Sequence, residues 1–168
     1  MSIRNNKPFA EIFEKVRDNS ELDDVISYIY IKNITVLKKS EKILIEIISD
    51  VFLNKEKVSA LIESVYVPTL HDYIVELTIR YSNKVSFYDN LNAFSYYIVE
   101  VLSDRIIMCK GLLTNCAFEY NENKLTIKLQ TKAAKILQKK KCDVLIQDIV
   151  KEHFELDIKV VFIDLTLD

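Results

Sequence analysis

Between residues 124 and 142 the chain reads KLTIKLQTKAAKILQKKKC, which places Lys124, Lys128, Lys132, Lys135, Lys139, Lys140 and Lys141 in one run without an Asp or Glu. Ammonium groups at that density suit three tasks: gripping phosphates, docking an acidic protein surface, or keeping a surface solvated. The chain as a whole favours none of them, because 23 basic residues face 25 acidic ones. The polarity is local, since only two lysines stand against seven acids over residues 142–168. Alternation along residues 124–128 puts Lys124 and Lys128 on one strand face, and Lys132, Lys135 and Lys139 recur at three- and four-residue steps. Together they could form one stripe. Lys139, Lys140 and Lys141 also have a plain structural use, closing a helix where cations meet its free carbonyls for ~0.3–1 kcal/mol each.

Other chemistry-bearing residues form no recognisable set. His71 and His153 are the only histidines and have no second ligand at helical or strand spacing. Cys109, Cys116 and Cys142 match no CxxC pair, so reduced, buried or half-buried thiols are expected. No Asp-x-Asp or Asp-x-Glu pair is present to hold two metals, and Asp23-Asp24 suits the first turn of a helix. A single glycine, Gly111, excludes the glycine-rich loops that let backbone N–H groups approach phosphate. No catalytic, cofactor-binding or metal-ligating residue is assigned, and no small-molecule substrate is expected. The nine tyrosines, Tyr96 and Tyr97 among them, are either stacking platforms or packing residues.

The elements that must carry these side chains follow from periodicity. A helix is predicted over residues 8–16, with Phe9, Ile12, Phe13 and Val16 on one face, and a short second one follows Ser20, capped with Asp23. Residues 29–36 and 42–49 read as a hairpin, Asn54 caps a helix, and residues 72–81 alternate as a strand with Tyr73, Val75, Leu77, Ile79 and Tyr81 on one side. The pattern then restarts. A long helix is predicted over residues 86–103, opened by Ser86 and Asp89, with Gly111 at the end of a short helix after it. Next come a hairpin turning at 121–123, two helices over 131–140 and 143–154, and a strand over 157–164. Leu125, Ile127 and Leu129 are expected inside. The fold class is α+β, as two small tandem modules over residues 1–83 and 84–168, each with a helical lead-in, a hairpin, helix and strand. No long apolar segment or secretory leader is visible, which gives a cytoplasmic expectation.

The stretch KGLLTNCAFEYNENKLTIKLQTKAAKILQKKKCDVLIQDIVKEHFELDIKVVFID, residues 110–164, resembles the N-terminal region of the PolC-type DNA polymerase III alpha subunit. NITVLKKSEKILIEI and VELTIRY resemble an earlier part of the same region. The resemblance implies two α+β modules, the second similar to the polymerase-binding domain of the clamp-loader tau subunit or to a KH-like fold. It also implies a non-catalytic fragment of a longer replicative enzyme, whose catalytic domains lie outside this segment. The expected role is protein docking in the replisome, with tau as a partner. The alternatives are a KH-like module for single-stranded nucleic acid, DNA included, and an unrelated soluble α+β interaction domain. A KH clamp needs a GxxG loop, which one glycine cannot supply.

Overall fold

The computed structural model describes residues 6–165, as a mixed α+β chain. The chain folds as two compact units, Met1–Val85 and Ser86–Asp168.

In the first unit a four-stranded sheet has the order β1-β2-β3-β4, formed by Lys7–Pro8, Ile29–Leu37, Lys42–Ser49 and Ile74–Tyr81. The polar turn at residues 38–41, with Glu41 at φ 53°, folds β2 antiparallel onto β3. Helix α2, Lys55–Glu63, then carries the chain to β4, which runs parallel to β3. Asn54 Oδ1 accepts from the Lys57 N–H at 2.9 Å, the cap expected from the sequence. Ile43, Ile45 and Ile47 alternate inward on β3, and Ile79 and Tyr81 on β4.

The lead-in differs from its predicted form. Helix α1 spans only Phe9–Ile12, because Phe13 leaves the helical region at φ −115°, ψ 83°. A separate 3-10 turn, Glu14–Asp18, follows. The bend keeps Phe9, Phe13 and Val16 buried but turns Ile12 out to 40% exposure, so the four residues do not share one stripe. After it Asn19, not Ser20, acts as the cap, its Oδ1 accepting from the Glu21 N–H at 3.1 Å.

The second unit opens with α3, Leu91–Arg105, and α4, Cys109–Leu112. Ser86 Oγ does accept from the Asp89 N–H at 3.2 Å, but residues 86–90 make a separate turn before the helix begins. Gly111 lies inside α4 with no positive φ, and the left-handed residue ending that segment is Asn115, at φ 57°. Asparagine takes that conformation more readily than most side chains.

Strands β5, Ala117–Asn121, and β6, Lys124–Leu129, form an antiparallel hairpin. Glu122 and Asn123 turn it at φ 48° and 60°, and two consecutive positive values define the tight turn that matches strand twist. Helices α5, Ala134–Lys139, and α6, Cys142–Phe154, lead to β7, Lys159–Asp164, which runs parallel to β6. Leu125, Ile127 and Leu129 are fully buried, as the alternation predicts. Asp164 Oδ1 ties the end of β7 to the start of α5, accepting from the Ala133 and Ala134 N–H groups at 3.0 Å each. Each sheet thus contains a hairpin whose second strand pairs in parallel with a strand reached through helix.

Candidate functional site

The lysine run is carried by β6, α5 and the loops around them. Lys124 and Lys128 point opposite to the buried Leu125, Ile127 and Leu129, onto the sheet face that the helices leave open. Lys124 is exposed there. Lys128 is half-buried, and its ammonium reaches Glu119 Oε1 at 2.6 Å, which neutralises it on the neighbouring strand. Lys132 is exposed between sheet and helix. Lys135 and Lys139 lie one turn apart on α5, Lys140 is its C-terminal cap, and Lys141 enters α6 in the left-handed conformation at φ 58°. All four are exposed. The run therefore divides between two layers, with Lys124 and Lys128 on the open sheet face and Lys135 to Lys141 in the helical layer.

Parallel pairing adds a cation that is remote in sequence. Lys159 on β7 is the register partner of Lys124, and both are exposed. A period-two reading of β7 gives its outward face, but only the strand order reveals which residue Lys159 adjoins.

The other candidate groups are placed in structural settings. His153 is buried, its Nε2 lying 3.1 Å from the Tyr97 hydroxyl, and its ring packs edge-on to Phe94 and Tyr97. Tyr97 thus packs one side of its ring on the core while staying 39% exposed, whereas Tyr96 is 74% exposed. His71 is exposed beside the Pro68 carbonyl oxygen, 3.2 Å from Nδ1. The thiols of Cys109 and Cys142 touch at 3.8 Å in the core. Burial raises both, Cys142 to about 12, with Cys109 adding to the effect. A thiol held neutral in this way is a poor nucleophile. Among the described residues no group of three His, Cys, Asp or Glu side chains could hold a metal. Asp24 pairs with Lys57 at 2.7 Å, and that hydrogen bond holds its carboxyl below the usual range.

A feature that one-dimensional reading misses lies at the sheet edge. β5 pairs only with β6 among the described strands, and its other edge borders an open groove of about 1190 Å³ whose far wall is α3. Tyr96 and Val99 of α3 and Phe118 of β5 line it, together with Asp89, Glu100, Asp104 and Glu119. Lys110 is its lining cation. The sequence signal was modest: α3 carries tyrosine and serine on the side away from its core positions, and β5 has no bulge or proline to close its edge.

Residues 95–167 match the family described as DNA polymerase III polC-type N-terminus II. That segment of the chain is similar to this family. The matched segment begins within α3 and runs through β7, so it contains β5, the whole lysine run and Lys159. The first unit lies outside the matched residues. The family is described as an N-terminal region of that polymerase. No curated protein and no solved structure matched the chain. No helix among the described residues is long and apolar enough to cross a membrane.

Proposed function

We propose that the chain acts in DNA replication as a non-catalytic docking module of a PolC-type polymerase, which holds the enzyme in the replisome by binding a protein partner such as the clamp-loader tau subunit. The observation that carries this reading is the cluster of Lys135, Lys139, Lys140 and Lys141. All four are exposed and make no ion pair among the described residues, on a helix whose start is anchored by Asp164. Ammonium groups gathered on one anchored helix and its C-terminal turn suit a carboxylate-rich protein surface, where they raise the association rate and favour one orientation.

Lys128 is less available for phosphate, since Glu119 already holds it. The sheet face then offers Lys124 and Lys159, and two phosphate contacts on a single strand would give a log–log salt slope of about −1.4. The test is calorimetric titration of the chain with a C-terminal fragment of tau and with single-stranded DNA at two salt concentrations. Binding to tau that is abolished by Lys135→Glu/Lys139→Glu is expected. Tight DNA binding with a slope several times steeper, and no binding to tau, would overturn the docking reading in favour of the nucleic-acid module.

A further inference from the structure

We infer that the groove beside β5 accepts an extended, basic segment of a partner protein as a fourth strand of the second unit's sheet. This surface is distinct from the lysine cluster and does not depend on it. Three observations lead to it.

The first is main-chain geometry. The two-residue turn makes Asn121↔Lys124 the bonded pair next to the loop, so bonded pairs recur at Glu119↔Thr126 and Ala117↔Lys128. The main-chain N–H and C=O groups of Phe118 and Tyr120 are therefore directed away from β6, toward the groove. An edge with such groups is a template for another strand, and proteins that do not use one commonly shorten, bulge or cover it.

The second is the corresponding edge in the first unit. There β2 holds the place that β5 holds in the second sheet, as the outer strand of the hairpin. Its outer edge is taken by an added antiparallel strand, β1, with Lys7↔Ile31 and Pro8↔Tyr30 in register. The same architecture accommodates a further strand at that position, and in the second unit the position is an open groove.

The third observation selects the occupant. Carboxylates of Asp89, Glu100, Asp104 and Glu119 line the groove against the single ammonium of Lys110. Glu119 is already engaged by Lys128, but the balance remains acidic. A second copy of the chain, pairing β5 to β5, would bring two such acidic linings together, and a nucleic-acid strand would meet the same repulsion. A peptide of apolar and basic residues fits instead: the side chains it turns toward α3 would meet the half-buried Phe118 and Val99 with the carboxylates of Asp89 and Asp104 beside them.

The experiment uses the full chain, isotopically labelled, titrated with a capped peptide of alternating lysine and valine long enough to span β5. The comparison ligands are the same peptide N-methylated at alternate residues and a glutamate–valine peptide. The expected result is chemical-shift change centred on Phe118 and Tyr120 with slowed exchange of their amides, and at least ~10-fold weaker binding by both comparison peptides. Phe118→Pro should weaken the lysine–valine peptide similarly while leaving the β6 ladder intact, because that N–H does not pair with β6. Asp89→Lys/Asp104→Lys, which leaves the strand untouched, should shift preference toward the glutamate–valine peptide. Absence of shifts at about 1 mM peptide, equal binding by the N-methylated peptide, or dimerisation of the chain through β5 would each overturn the inference.

Discussion

Replacing Ile127 by alanine probes the part of the second unit from which its surfaces are built. Ile127 is fully buried on β6, the central strand, between its register partners Phe118 and Phe162. Truncation removes a buried side chain from the middle of the sheet, where neighbours on both sides are held by ladder hydrogen bonds and cannot easily collapse. The expected cost is ~2–5 kcal/mol. A unit of this size is stable by roughly 4–12 kcal/mol, so the loss is a large share of the total, and melting should fall by ~8 °C or more. Thr126→Ala, one residue away on the opposite face, should cost under ~1 kcal/mol. Urea titration followed by amide NMR of the whole chain reads the two units separately through their own resonances. The reasoning fails if Thr126→Ala costs as much as Ile127→Ala, because β6 would then present its other face to the core.

Three further outcomes are expected. Asp164→Ala should destabilise the second unit by ~0.5–2 kcal/mol, read in the same urea titration, because it leaves the Ala133 and Ala134 N–H groups without their acceptor. Cys142 ionises near 9 when unfolded but at about 12 in the folded chain. Stability from this thiol is intact below pH 9 and falls above it by ~1.4 kcal/mol per pH unit as the unfolded state alone loses its proton. Wild type should therefore lose stability more steeply over that window than Cys142→Ala, and equal slopes would contradict the burial of a neutral thiol. Residues 1–85 and 86–168, expressed separately, should each give a dispersed amide spectrum, whereas collapse of both would mean that the units share one core.

The strands were readable because each has a short, strict period. Residues 42–49 match β3, and the inward set Leu125, Ile127, Leu129 is the buried one. The turns were readable too, since a chain with one glycine must place Asn and charged residues at positive φ, as Asn123 and Glu41 do. The lead-in was less legible. Phe9, Phe13 and Val16 satisfy a helical spacing whether or not the chain bends at Phe13, so periodicity alone could not detect the break. The start of α3 was misplaced for a related reason, because the Ser86–Asp89 contact caps an isolated turn as well as it caps a helix. At the surfaces, the lysines were visible but their partners were not. The Lys128–Glu119 pair depends on the hairpin's register, and the Lys124–Lys159 neighbours and the β5 edge depend on strand order, which links residues far apart in the chain.

The most direct test of the proposed docking role is to titrate the isotopically labelled chain with a C-terminal tau fragment, and separately with single-stranded DNA, and to follow every amide. The account predicts that tau shifts resonances at residues 135–141 of α5 and its C-terminal turn, and that DNA perturbs little beyond Lys124 and Lys159 at low salt. Shifts spreading over the open sheet face with DNA at physiological salt, while tau leaves α5 unmoved, would contradict it.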